Sequence, residues 1–221
     1  MNKNFIKYRG NPNLDFENIV SKSNSFYENI KQRKTIREFS KKTFPISVIE
    51  NCIKAAGTAP SGANMQPWHF SISKRNELRK LLRKEAEIEE NNFYKEKAPK
   101  DWLDALEPLG TDANKPFLED APYIIGIFAK NYGIMKNGKK VKHYYANESV
   151  GIATGILVTA LHLAGLSTLT HTPSPMGFMN KIFSRPQNER PYLLLVVGIA
   201  KNNTLIPDIE KLPLEKISSK T

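Results

Sequence analysis

Three short polar segments of the chain have residue types and spacings that suit the binding of a flat, phosphorylated ligand. The first runs from Arg33 through Lys34, Thr35 and Ile36 to Arg37. If it is extended, Arg33, Thr35 and Arg37 lie on one side, where two guanidinium groups and a hydroxyl can bind phosphate and ribityl oxygens. The alternative interpretation is a solvated helix end, where the helix dipole favours cations.

The other two segments offer groups for the edge of a flat ring. In the loop Ala59-Pro-Ser-Gly-Ala-Asn-Met-Gln-Pro-Trp68, Gly62 permits close approach of the backbone, and Ser61 and Asn64 offer hydrogen bonds. Thr170-His-Thr-Pro-Ser174 follows a predicted strand and carries hydroxyls next to a rigid proline. Alone, each segment is also compatible with an ordinary connecting loop.

Several other chemistries are excluded by what the sequence lacks. The four histidines have no metal-ligand spacing, and there is no nucleophile elbow, phosphate-binding P-loop or dinucleotide fingerprint. The single cysteine, Cys52, excludes an internal disulfide and a cysteine-based metal centre. We therefore predict no metal site, and if the protein is an enzyme, we expect a cofactor to carry the chemistry.

The positive charge of the chain does not indicate nucleic-acid binding. Its 221 residues include 33 Lys and Arg against 22 Asp and Glu, a net charge of +11. The excess lies in residues 1–100, but it is scattered and mostly lysine, which is typical of a solvated surface. A nucleic-acid-binding protein is thus a remote third hypothesis, and we predict no nucleic-acid partner.

The elements that must position these segments mix helices and strands without strict alternation, which predicts an α+β fold around one sheet. The predicted helices are 16–32, 47–57, much of 75–100 and 146–165, and the predicted strands are 69–73, 122–129, 167–170 and 192–198. A capping box at Ser47-Val-Ile-Glu50 is expected to start the second helix. The helix 146–165 is apolar on almost every side, so a partner subunit could supply part of its cover.

The chain is predicted to be a single domain, residues 1–221, with a charged insertion at about 85–120. It has no repeats and no Pro/Gly-rich linker. The most apolar stretch, residues 151–166, is too short to span a bilayer, and the N-terminus lacks the apolar core of a signal peptide. We therefore expect a soluble, cytoplasmic protein.

Together the three segments resemble those of the FMN-dependent nitroreductase superfamily. The similarity rests on Arg33-Lys-Thr-Ile-Arg37 after the first helix, followed by Pro60-Ser-Gly-Ala-Asn-Met-Gln-Pro-Trp-His-Phe70. Within the superfamily the chain looks most like the iodotyrosine deiodinases, through Ala56–Ala63, Asn137–Tyr145 and the stretch from Val197 to Leu214. The resemblance runs from about residue 24 to the C-terminus.

The resemblance implies a nitroreductase-like fold, with a central mixed sheet flanked by helices, in an intertwined homodimer that binds FMN at the subunit interface. Thr172 would donate to flavin N5 and favour one-electron steps, and the Ala63 backbone N–H would bind the phenolate oxygen of the substrate. Lys211 stands where the family has an arginine for the phosphate, and His171 interrupts a threonine-rich run and receives no acid–base role. The implied cofactor-binding residues are Arg33, Lys34, Thr35, Arg37, Ser61, Gly62, Asn64, Thr170, His171, Thr172 and Lys211.

The same resemblance implies a binding site for the amino-acid end of a substrate in the charged insertion. Glu90 and Tyr94, at helical i,i+4 spacing, and Lys115 match the residues with which the deiodinases hold a zwitterion. Glu89 and Phe93 have the same spacing, so the register stays open by one residue, and the hydroxyl of Tyr94 favours the first pair. Without the resemblance, a solvated surface helix is the ordinary interpretation.

The implied function is FMN-dependent reductive dehalogenation of halogenated tyrosine, with residues 85–120 closing as a lid. The alternative is a generic NAD(P)H-dependent nitro or quinone reductase of the same superfamily. The electron donor stays open between NAD(P)H and an unidentified reductase. Animal members of the family carry a membrane anchor that this chain is not expected to have.

Overall fold

The structure is a computed structural model that describes residues 5–10, 15–134 and 137–221. The chain divides into two compact units, Met1–Arg33 and Lys34–Thr221. The first unit contains helix α1 (Phe16–Ile30), which begins where the Asp15 side chain accepts a hydrogen bond from the Glu17 amide. None of the α1 residues is buried, although the helix carries Phe16, Ile19, Val20, Phe26 and Tyr27.

The second unit is built on a four-stranded sheet in the order β1-β2-β6-β5, with neighbouring strands antiparallel. The strands are β1 (Trp68–Lys74), β2 (Tyr123–Lys130), β5 (Ser167–His171) and β6 (Glu189–Gly198). A parallel bridge between Thr35 and Thr168 adds the segment after Arg33 to the edge strand β5 and makes the sheet mixed at this edge. The α+β prediction with a mixed central sheet is confirmed.

Two hydrophobic cores lie on opposite faces of the sheet because side chains alternate along a strand. On one face, Ile125 and Val197 pack with helices α2 (Ile46–Ala56) and α6 (Ala146–Leu163). On the other, Ile124 and Val196 pack with α3 (Glu77–Asn92), α5 (Phe117–Asp120) and α7 (Phe178–Ile182). The sheet is therefore a rigid base for everything attached to its edges.

Helix α6 is apolar on almost every side, as predicted, but only one face of it is buried. Val150, Leu157 and Leu161 are fully inaccessible, whereas Ile152 and Leu163 are about half exposed. The second unit therefore leaves part of an apolar helix uncovered.

The predicted start of α2 is wrong by one residue, and the predicted capping box does not form. The helix begins at Ile46 with Pro45 as the cap residue, and no side chain caps it. Ser47 thus lies inside the first turn, where its hydroxyl is no longer placed to bind the free amides.

The charged insertion consists of short helical pieces joined to α3. After Asn92 the helix widens into a π-helical turn, Phe93–Lys97, followed by α4 (Lys100–Leu106), a 3₁₀ turn at Glu107–Leu109, and α5. Gly110 ends the 3₁₀ turn with a left-handed backbone, φ 58°, which favours glycine. Outside the insertion, the elements that were not predicted include a hairpin of β3 (Tyr132–Ile134) with β4 (Lys140–Lys142), the helix α7, and α8 (Leu214–Ile217).

Candidate active site

A cavity of about 540 Å³ lies between the charged insertion and the edge strand β5. The end of α3 contributes Glu90, and the π-helical turn after it contributes Phe93 and Tyr94. The rest of the insertion contributes residues from Trp102 to Lys115, and the end of β5 with the chain after it contributes residues from Thr170 to Met176. Arg37 also lines it, because the Thr35–Thr168 bridge aligns residues 35–37 with β5. Three segments distant in sequence therefore meet at one cavity.

The most distinctive feature of the cavity is a buried ion pair between Glu90 and Lys115. Their side chains are 13% and 4% exposed, and the Lys115 Nζ lies 3.1 Å from a Glu90 oxygen. The same ammonium donates to the Thr111 hydroxyl at 3.3 Å and to the Asp112 carbonyl. Burying two charges is costly, and here each charge is compensated by the other and the ammonium also by these hydrogen bonds.

Tyr94 completes this cluster. Its hydroxyl donates to the Thr111 carbonyl at 3.2 Å, and the Lys115 ammonium lies 5.7 Å from its ring centre. Burial is the main cause that raises the pKa of Tyr94, so the phenol stays protonated at neutral pH. Of the alternative register, Phe93 lines the cavity and Glu89 does not. The geometry therefore favours Glu90 with Tyr94.

His171 forms a buried wall beside the ion pair. Its Nδ1 is 3.9 Å from a Glu90 oxygen, and its ring meets Phe117 edge-on at 5.5 Å. Burial first, and then the charge of Lys115, lowers the pKa of His171 to about 3. The imidazole is therefore neutral, and within the described chain its buried Nε2 has no hydrogen-bond partner.

The remaining groups on this cavity are donors that the chain itself does not use. Among the residues that the structure describes, the Arg37 guanidinium and the Thr170 and Thr172 hydroxyls have no hydrogen-bond partner. Thr170 and Thr172 are exposed, although the intervening His171 is buried, because side chains alternate at this strand end. A cation and two hydroxyls fit the phosphate and ring-edge acceptors of FMN.

The loop from Ser61 to Asn64 is rigid but does not line this cavity. Ala63 and Asn64 have left-handed backbones, φ 49° and 54°, and the Ser61 hydroxyl accepts a hydrogen bond from the Gln66 amide at 3.0 Å. A Cβ on Gly62 would lie 2.9 Å from the Tyr144 carbonyl oxygen. Gly62 thus allows close approach of the chain's own backbone, a role that the sequence did not reveal.

The other predicted residues of the second unit do not line the cavity. Lys34 is exposed and Thr35 is engaged in the backbone bridge. Lys211 is exposed on the C-terminal segment, and Arg33 belongs to the first unit. The structure therefore joins Arg37, Glu90, Tyr94, Lys115, Thr170, His171 and Thr172, and it does not join the Ser61–Asn64 loop or Lys211 to them.

Trp102 and Thr111 are lining residues that were missed from the sequence, as were the apolar Leu106, Leu109 and Met176. Trp102 packs near Phe93, with ring centres 5.9 Å apart, and forms an aromatic wall. Thr111 binds both Tyr94 and Lys115. Its only signal was its position four residues before Lys115.

Comparison with known proteins agrees with this geometry. The sequence pattern of the nitroreductase family matches residues 30–199, and the chain belongs to this family. It is 46% identical over 207 residues to an iodotyrosine deiodinase of Haliscomenobacter hydrossis, covering 94% of this chain and 93% of that one. It is 40% identical over 200 residues to iodotyrosine deiodinase 1 of Homo sapiens, covering 90% and 69%.

A solved structure extends the similarity to three dimensions. Oxidized iodotyrosine deiodinase bound to FMN and 3-iodo-L-tyrosine matches with a TM-score of 0.73 and 30% identity, over 86% of this chain and 97% of that one. The family resemblance predicted from the sequence is confirmed. No helix in the described residues is long and apolar enough to cross a membrane.

Proposed function

We propose that the protein is an FMN-dependent reductive dehalogenase of halogenated tyrosines, which releases halide and tyrosine. The observation that carries the proposal is the buried Glu90–Lys115 pair on the same cavity as Arg37 and Thr172. The relatives that share the fold and much of the sequence are named iodotyrosine deiodinases.

The ion pair has the charge pattern of an amino-acid receptor. A zwitterion brings one ammonium and one carboxylate, which pair with Glu90 and Lys115 respectively. Binding replaces the one ion pair within the protein by two ion pairs between the protein and the ligand. Because both the Glu90–Lys115 pair and the zwitterion are neutral overall, no net charge is buried. Tyr94 adds a hydroxyl that hydrogen-bonds to either end of the ligand.

The chain's own donors hold the cofactor and the phenol. Arg37, with Lys34 and Thr35, binds the FMN phosphate and nearby groups, and Thr172 donates to the ring edge. Ser61, Gly62 and Asn64 lie along the flat ring, and the Ala63 N–H stabilises the phenolate oxygen of the substrate. FMN, when bound, supplies the electrons.

The reaction replaces a carbon–halogen bond with a carbon–hydrogen bond and consumes two electrons and one proton. The halide leaves with the bonding electron pair, and the carbon takes up a proton that derives ultimately from bulk solvent. Residues 85–120 cover the amino-acid end of the substrate and exclude water from the cavity. Because the imidazole of His171 is neutral, it adds no second positive charge beside Lys115.

The site is completed by a second copy of the chain. The exposed apolar side chains of α1 and of α6, together with Leu205, Leu212 and Leu214 near the C-terminus, support a homodimer. The separation of the Ser61–Asn64 loop from the cavity supports a site shared by two subunits. Each loop then serves the cavity of the other copy.

Three further parts of the sequence-based account stay proposals. We infer a single domain with an insertion at about 85–120, supported by the family match, which crosses the boundary between the two units. The electron donor is NAD(P)H or an unidentified reductase. The protein acts in the cytoplasm.

The test is halide release under anaerobic conditions, with the protein-bound flavin reduced by dithionite. We expect stoichiometric iodide and tyrosine from iodotyrosine and far less iodide from iodophenol. Rapid turnover of nitroaromatics or quinones with NAD(P)H, and no iodide release, would instead establish the generic reductase.

A further inference from the structure

Three arginines at four-residue spacing, Arg75, Arg79 and Arg83, form hydrogen bonds to residues 114–121 at the end of the insertion. Arg75 precedes α3, and the other two belong to it. Arg79 is fully buried and donates to the carbonyls of Leu118 and Ala121, at 2.6 and 3.2 Å. Arg75 donates to the carbonyls of Glu119 and Asp120. Residues 118–121 are therefore fixed to the body of the second unit through their main chain.

The next turn of α3 reaches the main chain of Lys115 itself. The Lys115 amide donates to Glu87 Oε1 at 2.7 Å, and Arg83 Nε donates to the same oxygen at 2.7 Å. Arg83 also binds Asn114 Oδ1 at 2.8 Å and Glu119 Oε1 at 3.1 Å. One carboxylate thus links a helix to the residue that faces Glu90.

Neither Arg83 nor Glu87 lines the cavity, and their side chains, 29% and 26% exposed, line a separate surface groove together with Glu119. Glu87 precedes Glu90 by three residues, so both carboxylates project from neighbouring positions on α3. One holds the backbone of Lys115 and the other pairs with its ammonium.

We propose that Glu87, oriented by Arg83, is a positioning residue that sets the affinity for the amino-acid end of the substrate. It acts by fixing the main chain of Lys115 so that the ammonium stays opposite Glu90. This inference rests on the proposed function and adds to it a determinant outside the cavity.

We expect replacement of Glu87 to weaken binding of the amino-acid end selectively, because the other hydrogen bonds that hold the insertion do not depend on Glu87. Arg79 and Arg75 still hold residues 118–121 when Glu87 is replaced. Only the segment around Lys115 gains freedom, and that segment touches the amino-acid end of the ligand alone. The halophenol part and the FMN phosphate depend on other residues.

The experiment compares Glu87→Ala with Glu87→Gln in the FMN-loaded protein, by titrating flavin fluorescence with iodotyrosine and with iodophenol. We expect Glu87→Ala to weaken iodotyrosine binding roughly tenfold, the effect of one hydrogen bond to a charged group, and to leave iodophenol binding unchanged. Glu87→Gln keeps an acceptor for the Lys115 amide and is expected to recover most of the affinity. In steady state, KM for iodotyrosine rises while kcat is retained.

The matched control is Glu77→Ala, which removes an exposed ion pair with Lys80 on the same helix. It is expected to bind both ligands like the wild type. The inference is overturned if Glu87→Ala binds iodotyrosine like the wild type, or if it weakens both ligands and FMN equally. If Glu87→Ala does not fold, Arg83→Lys gives the same test through loss of the guanidinium fork.

A wild-type protein that does not bind iodotyrosine contradicts the proposed function itself. Wild-type binding that is insensitive to Glu87 contradicts only the positioning role. The two failures are therefore distinguishable in one set of titrations.

Discussion

The cavity around Glu90 and Lys115 differs from the loop around Gly62 in how completely one chain forms it. In the cavity, charged groups from α3 and the insertion are already paired and buried. The Ser61–Asn64 loop is held by left-handed residues and the Ser61 hydroxyl, but it does not line this cavity.

The difference separates two kinds of recognition. Under the proposed function, the cavity distinguishes the amino-acid end of a substrate by charge, with groups of one subunit. The loop offers backbone and small polar groups, which suit a flat ring and a phenolate oxygen brought against them. The amino-acid end is then recognised by one subunit, whereas the phenol and the cofactor are enclosed by two.

The largest expected effect comes from removing one member of the buried pair. Lys115→Ala leaves the Glu90 carboxylate buried without its partner and removes the group that binds the substrate carboxylate. We expect iodotyrosine binding to weaken by roughly 100-fold or more, with FMN retained. Flavin fluorescence titration measures both, and unchanged iodotyrosine affinity would remove the cavity from substrate recognition.

The loop is tested by Gly62→Ala. The added methyl lies 2.9 Å from the Tyr144 carbonyl, so either the loop or residues 144–145 must move. We expect a loss of about 1–3 kcal/mol in the free energy of unfolding and weaker FMN binding. Thermal unfolding and flavin release measure these, and Gly177→Ala is the control because its φ of −57° suits any residue and a Cβ there has no atom within 4 Å.

The neutral wall of the cavity predicts a pH dependence. The pKa of His171 is about 3 in the folded protein and 6.5 when the imidazole is not buried, as in the unfolded chain. Between these two pH values the unfolded chain therefore binds one proton more than the folded protein. Lowering the pH from 7 to 5 is therefore expected to cost about 2 kcal/mol of stability from this residue. The His171→Asn variant is expected to lose less stability than the wild type between pH 7 and pH 5, as chemical denaturation at both pH values can show. An identical loss of stability in the two proteins would contradict a lowered pKa of His171.

The smallest expected change, a factor of about two, tests whether cavity and loop come from different subunits. Lys115→Ala disables the cavity, and Ala63→Pro disables the loop because proline lacks the N–H and cannot adopt φ 49°. A mixed dimer of the two variants has one doubly defective site and one intact site, so about half of the wild-type halide release is expected. No recovery would place both regions in the same subunit's site.

The sequence predicted most of the elements and much less of their contacts. Apolar runs identified β2 and β6, and a longer, almost uniformly apolar stretch located α6, because these patterns are local. The β3–β4 hairpin was missed because its strands have three residues each and β4 is rich in lysine. The resemblance supplied Glu90, Tyr94 and Lys115, which the structure then joined at one cavity.

The contacts that the sequence could not reveal are those between distant residues. Glu87 reaches Lys115 across 28 positions, and Arg79 reaches Leu118 across 39. Nothing in a charged helix distinguishes a glutamate that binds a backbone amide from one that faces water. Gly62 is similar, since its neighbour is Tyr144, far along the chain.

The central claim, that the cavity recognises a zwitterion, is tested most directly by titrating the flavin fluorescence of the wild-type protein with iodotyrosine, tyrosine and iodophenol. We expect iodotyrosine to bind at least roughly 100-fold more tightly than iodophenol, because only the former has the charged groups that pair with Glu90 and Lys115. Equal affinities for iodotyrosine and iodophenol would contradict the account.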